Sequence, residues 1–232
     1  MIAHCLLEFA FQSAYGILKL VEFILKVVCA YLLGSLLGGL IVGKLKGGVD
    51  IRQQGSGNAG GTNALRTQGW YFAMWVMLID IGKGWLATAF LPGLSLPSIA
   101  AAFPLVWVQI SCAIAVVVGH VFPVWFGFRG GKGAATLVGV VAGLVPAALL
   151  YVLGTWLGVL MLTGFVGLST MLATAAFTIW VKVAQPTDSQ PLLVFGVTML
   201  VFVIYTHRSN IQRMIVGTEN RAKKIWLFKP RA

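Results

Sequence analysis

Charge is what this chain has least of. Only 10% of its 232 residues are charged, and just six are acidic. A soluble domain carries about 25% charged residues to cover its surface, so a water-facing globule is excluded. Few carboxylates also mean that any site must be built mainly from donors and cations. Cysteine is scarce too: Cys5, Cys29 and Cys112 stand alone in apolar stretches without a C-x-x-C pair, and read as small hydrophobes. There is no H-E-x-x-H zinc motif, no His/Cys/Asp cluster at ligand spacing and no G-x-S-x-G elbow. Internal repeats and low-complexity tracts are absent as well.

What is abundant is apolar surface, 59% of the chain, together with 28 glycines. A span needs about 20 residues to cross the hydrocarbon core, and small residues let membrane helices approach closely. Apolar runs cover Val27 to Val42, Trp70 to Leu91, Leu105 to Phe126, Ala134 to Val183 and Leu192 to Tyr205. Thirteen of the seventeen basic residues fall in three segments beside these runs: Lys44 to Arg66, Arg129 with Lys132, and Arg208 to Arg231. The connection from Leu91 to Pro104 carries no charge, and the one near Pro186 has only Lys182 against Asp188. That asymmetry is the positive-inside pattern, so the net charge of +11 reads as topology and lipid contact rather than nucleic-acid binding.

Parity follows. With all three basic segments on the cytoplasmic side, the run Ala134 to Val183 crosses an odd number of times, and three short crossings leave no apolar stretch stranded in water. The expected fold is an all-α integral membrane protein with seven transmembrane helices, several short or broken, plus an N-terminal amphipathic helix. Residues 1–26 form that extension, and residues 27–232 form the polytopic domain with its basic cytoplasmic tail. In the extension Glu8, Gln12, Lys19, Glu22 and Lys26 share one helical face. Such a stripe suits either the membrane interface or packing against neighbouring helices. A signal peptide is not expected, since a basic start and a small-residue cleavage site before Tyr31 are missing.

Three polar constellations carry the chemistry. The first runs Gly55-Ser56-Gly57-Asn58-Ala59-Gly60-Gly61-Thr62-Asn63, with Arg66 beyond. Glycines let successive N–H groups turn to one point, a common way to hold phosphate, and Arg66 adds a bidentate cation. A flexible loop has similar composition; the terminal arginine and the positive field favour anion binding. The G-x-G-x-x-G match is no dinucleotide site, because its flanks are membrane spans rather than strand and helix. The second constellation is His120-Val-Phe-Pro123 followed by Arg129-Gly-Gly-Lys132-Gly133. Phe126 and Gly133 stand where a P-loop needs glycine and a hydroxyl, so an NTPase is unsupported, and Lys132 is either a site cation or a topology charge. The third is His207-Arg-Ser-Asn210-Ile-Gln-Arg213 with Gly217-Thr-Glu219. Separately, Asp80 and Lys83 share a helix face inside an apolar run, as a functional pair, a structural pair or a snorkelling lysine.

These segments resemble the PlsY family, the acyl-phosphate-dependent glycerol-3-phosphate acyltransferases. The resemblance covers roughly 31–224 and rests on YLLGS at 31–35, GSGNAGGTNALRTQG at 55–69, DIGKG at 80–84, GHVFPVWFGFRGGKGAAT at 119–136 and HRSNIQRMIVGTE at 207–219. It implies a seven-span enzyme of the bacterial inner membrane whose active site faces the cytoplasm. Such an enzyme moves an acyl group from a fatty acyl phosphate to the 1-hydroxyl of sn-glycerol 3-phosphate, giving lysophosphatidic acid and phosphate. No metal or cofactor is implied, and the donor is neither acyl-CoA nor acyl carrier protein. In keeping with that, no histidine here has Asp five residues on: Phe9, Trp125 and Gln212 follow His4, His120 and His207.

Transferred by position, Ser56, Asn58, Thr62 and Asn63 with Gly57, Gly60 and Gly61 are expected to grip one phosphate. Arg66, Lys132, His207 and Asn210 are expected to hold the second phosphate and the reacting centre. Leu36-Leu37 stands where the family usually has Ile-Pro, which touches helix geometry. Thr206 stands where Arg or Lys is usual, which is expected only to trim local charge. An organic-anion transporter and a lipid phosphatase are the alternative readings.

Overall fold

The computed structural model describes residues 2–94, 103–184 and 189–228. Among them regular secondary structure is helical throughout, as a bilayer demands of a backbone that has no water to bond. Ten α-helices follow in order: α1 Ile2–Gly34, α2 Gly38–Leu45, α3 Gly61–Gln68, α4 Trp70–Trp85, α5 Leu105–Val121, α6 Ala134–Leu144, α7 Leu149–Thr163, α8 Val166–Ala184, α9 Gln190–Thr206 and α10 Arg208–Ile215. Together with their short flanking turns, Trp70–Gly93, Leu105–Phe126, Pro146–Thr163 and Val166–Ala184 are long and apolar enough to cross a membrane. Two bent pairs, Tyr15–Gly34 with Gly38–Leu45 and Gln190–Thr206 with Arg208–Ile215, bring the count to six if each is one span. A seventh would have to be the 11-residue α6, so length and composition alone stop short of the expected seven.

The long run Ala134 to Val183 does divide into three helices, α6, α7 and α8. It breaks at Pro146 and at Gly164, whose left-handed φ of +75° closes α7. The first span is displaced from its expected bounds. α1 runs without interruption across residue 26, stops at Gly34 and bends 50° into α2, so the apolar run Val27 to Val42 straddles a break.

The polar stripe of α1 turns inward only toward its C-terminal end: Gln12 is exposed and Lys19 half-buried. Glu22 is buried and pairs with Lys26 at 2.7 Å, and Lys26 Nζ donates to the Pro92 carbonyl at 3.1 Å. Glu8 lies outside the described side chains.

Reciprocal glycines bind the helices in pairs. A Cβ on Gly34 would lie 2.2 Å from the Val116 carbonyl oxygen, and one on Gly119 2.2 Å from that of Tyr31, locking α1 to α5. Gly84 meets Thr136 O at 2.2 Å and Gly139 meets Ile81 O at 1.9 Å in the same sense, locking α4 to α6. Backbones this close gain dispersion and need no polar interface. Between α4 and α6 on one side and α7, α8 and α9 on the other lies a cavity of about 390 Å³, walled by side chains such as Met77, Val138, Trp156, Phe177 and Met199.

Candidate active site

The first loop is ordered by one side chain. Asn63 is 1% exposed. Its Nδ2 faces the carbonyls of Ile51 (2.9 Å), Gln54 (3.0 Å) and Asn58 (2.9 Å), and its Oδ1 accepts from Ser56 N (2.9 Å) and Ser56 Oγ (3.2 Å). With every polar atom committed inside the loop, Asn63 is a brace, where a direct phosphate contact was expected. Gly55 and Gly57 make the turn with φ of +57° and +72°, which L side chains seldom adopt. Ser56 and Thr62 remain exposed and Asn58 half-buried. α3 begins at Gly61, and its N-cap Gly60 offers no side-chain cap, leaving its first N–H groups and the positive end of its dipole available to an anion. Arg66 stands one turn beyond Thr62, exposed and without a hydrogen bond or ion pair among the described residues.

The second loop hangs from the end of α5. Gly130 N donates to Val121 O at 3.1 Å and Gly131 N to His120 O at 3.0 Å. Gly133, at φ +88°, starts α6, again with no side-chain cap. Lys132, just before it, hydrogen-bonds Asn210 Oδ1 and lies 3.5 Å from Ser209 Oγ. Burial brings the Lys132 ammonium down to about 8, and the nearby Arg213 guanidinium pushes the same way, against Glu219. The lysine is thus a cation short of counter-charge.

The third segment is the turn between α9 and α10. His207 Nδ1 contacts Val203 O at 2.9 Å; a carbonyl only accepts, so Nδ1 carries the hydrogen and Nε2 keeps its lone pair. Asn210 Nδ2 donates to Glu219 Oε1 at 2.7 Å, and Arg213 Nε holds Glu219 Oε2 at 2.5 Å. Thr206 Oγ1 lies 3.0 Å from Val203 O and 3.2 Å from Lys132 O, so its one hydrogen is shared between its own helix and the second loop, a contact beyond the expected trimming of charge.

Two links join the first loop to the others. Gly61 and Thr62 share the cavity wall with Ala134 and Ala135, which follow Lys132 and Gly133. Arg52, which the sequence marks only as a topology charge, is a latch: its Nη1 donates to Phe126 O (3.1 Å) and Arg129 O (3.0 Å), while Asp50 grips the rest of the fork at 2.8 Å. The guanidinium hydrogen bond holds the Asp50 carboxyl below the usual range. The signal that could have found Arg52 and Glu219 is the shortage of acid itself. Glu22, Asp50, Asp80 and Glu219, the acidic side chains described, each pair with a cation.

The chain and its fold are similar to known proteins. A family model for glycerol-3-phosphate acyltransferase matches residues 24–217. A glycerol-3-phosphate acyltransferase of Chlorobaculum tepidum is 38% identical over 225 residues, covering 87% of this chain and 97% of the relative. One from Synechococcus sp. (strain JA-2-3B'a(2-13)) is 40% identical over 209 residues, covering 89% and 98%. Two crystal structures of PlsY (YgiH), an integral membrane glycerol 3-phosphate acyltransferase, are similar at a TM-score of 0.75 and 34% identity, covering 89% of this chain and 99% of theirs. One is the glycerol 3-phosphate form and the other the lysophosphatidic acid form. Family match, relatives and fold agree: this chain belongs to the glycerol-3-phosphate acyltransferase family and is an integral membrane acyltransferase.

Proposed function

We propose that this protein transfers an acyl group from a fatty acyl phosphate to the 1-hydroxyl of sn-glycerol 3-phosphate, releasing lysophosphatidic acid and inorganic phosphate. The observation that carries the reading is a pair of uncapped helix N-termini, those of α3 and α6, at one apolar cavity. Each is a seat for an anion, and the reaction brings two phosphate groups together. Ser56, Asn58 and Thr62 complete the first seat. Lys132, Arg66 and Asn210 serve the second and the reacting centre, beside the His207 ring. The apolar walls accept the acyl chain.

The hydroxyl oxygen attacks the carbonyl carbon of the mixed anhydride. The bond from that carbon to the phosphate oxygen breaks, and phosphate leaves with the electron pair. A substrate phosphate oxygen takes the hydroxyl proton, and no covalent enzyme intermediate forms. The protein contributes positioning and charge stabilisation. With the basic segments on the inner side, the site faces the cytoplasm of a bacterial inner membrane.

The test uses purified protein with long-chain acyl phosphate or acyl-CoA, and glycerol 3-phosphate present or omitted. Lysophosphatidic acid formed with acyl phosphate and not acyl-CoA as donor, only when glycerol 3-phosphate is present, and matched by one phosphate per product, is the expected result. Phosphate release without acceptor would make it a lipid phosphatase. Glycerol 3-phosphate uptake into vesicles without product would make it a transporter.

A further inference from the structure

Asp80, Lys83 and His120 take no part in the transfer chemistry, yet they are 0%, 3% and 2% exposed within the membrane helices α4 and α5. Charge buried there is costly and is retained for a purpose. Lys83 Nζ lies 2.9 Å from Gly34 O and 2.8 Å from Leu36 O, carbonyls freed where α1 stops. Asp80 Oδ1 accepts from Lys83 Nζ at 2.9 Å and from Gly38 N, the first amide of α2, at 3.2 Å. The cation therefore serves the negative end of one helix and the carboxylate the positive end of the next. This explains how the break persists with Leu36-Leu37 and no proline.

His120 extends the cluster to the second loop. Its Nδ1 lies 2.9 Å from Lys83 Nζ. Nδ1 also lies 3.5 Å from Asp80 Oδ1, so the ring meets the buried ion pair through Nδ1 and turns its Nε2 edge the other way. That edge of the ring faces Gly131, where an added Cβ would lie 2.0 Å from Nε2. The His120 carbonyl holds the Gly131 amide at 3.0 Å, one residue before Lys132. The capped break reaches the first loop as well, because α2 packs against it: a Cβ on Gly39 would lie 2.2 Å from Ala59 O.

We propose that Asp80, Lys83 and His120 form a buried positioning triad that sets the first and second loops relative to each other, and so fixes the reach of Lys132 to a substrate phosphate. The inference rests on the reading of Lys132 as a phosphate ligand. Asp80 and Lys83 hold the helix break that carries the first loop, and His120, keyed to Lys83, holds the second.

A double-mutant cycle tests it. Gly131→Ala forces its methyl into the His120 ring, and kcat/KM for glycerol 3-phosphate should fall about a hundredfold, the scale of a displaced reacting group. His120→Asn keeps an acceptor for Lys83 but empties the space at Gly131; alone it should cost about tenfold, below that scale because the loop is loosened and not displaced. Adding Gly131→Ala to His120→Asn should then cost less than about threefold, a clear departure from additivity. Equal losses from Gly131→Ala in both backgrounds would overturn the triad. If His120→Asn does not insert, His120→Gln replaces it with the opposite expectation: its amide returns to the Nε2 position and Gly131→Ala stays fully deleterious. Thermal unfolding of the same four proteins separates the inference from the functional reading. A wild-type protein without acyl transfer ends that reading. The clash still predicts that Gly131→Ala lowers Tm when His120 is present and leaves it unchanged in the His120→Asn background, where the ring is gone. An equal Tm drop in both backgrounds would overturn the triad by itself.

Discussion

Replacing Asn63 by aspartate changes almost no volume, yet it should disable the first loop. The side chain is buried, and its amide nitrogen faces three carbonyls, those of Ile51, Gln54 and Asn58. An amide has two hydrogens to share among them; a carboxylate has none and presents negative oxygen to three acceptors. Each buried hydrogen bond lost with its partner left in place costs about 1–3 kcal/mol. Two lost give about 2–6 kcal/mol, and water reaching exposed Gln53 to Gly57 relieves the upper half of that range. A remaining cost of about 2–4 kcal/mol in loop order corresponds to roughly 30-fold to 700-fold in apparent affinity. The loss should appear as a raised KM for glycerol 3-phosphate and as faster tryptic cleavage at Arg52 and Arg66. Tm should move little, because the helix pairs bound by Gly34, Gly119, Gly84 and Gly139 do not involve the loop. Unchanged KM and unchanged cleavage in Asn63→Asp would refute the brace. A raised KM with unchanged cleavage would return Asn63 to direct phosphate contact.

Three further outcomes are expected. Lys132 titrates at about 8 and is useful as a cation, so kcat/KM should fall as pH rises through that value; it should also fall on the acid side as the phosphate monoester protonates near pH ~6. Lys132→Arg should move the alkaline limb upward, and an unmoved limb would assign it to another group. Arg52→Ala removes two donors to the second loop, worth about 1–2 kcal/mol after discounting for partial exposure, so kcat/KM should drop about tenfold with membrane insertion intact. Ala173→Phe narrows the cavity where α8 faces it and should shift donor preference to shorter acyl phosphates while KM for glycerol 3-phosphate holds.

Much of this was legible in the sequence, for physical reasons that also mark where legibility ended. Composition and basic-residue asymmetry require a helical membrane protein, and parity with the length of the apolar run from Ala134 to Val183 calls for its division into three. The break at Gly34 to Gly38 is invisible to hydropathy, because apolar residues continue through it and the cause is Lys83 and Asp80 on another helix. Asparagine suits a ligand and a brace equally well, so only the carbonyls around Asn63 decide its role. Arg52 and Phe126 are 74 residues apart, and Lys83 and His120 are 37 apart; no local spacing reports such contacts. Lys132 and Asn210, by contrast, lie in motifs long enough to be matched on sight, and the fold brings them together.

The account stands on two anion seats and an acyl cavity at one place. A structure of this protein with glycerol 3-phosphate and a non-hydrolysable acyl phosphonate tests that directly. One phosphorus group should lie within hydrogen-bond reach, about 3 Å, of the first amides of α3, and the other within the same reach of Lys132 Nζ, with the acyl chain between α4, α6 and α7 to α9. Both groups bound away from Lys132, or a chain lying outside that cavity, would contradict it.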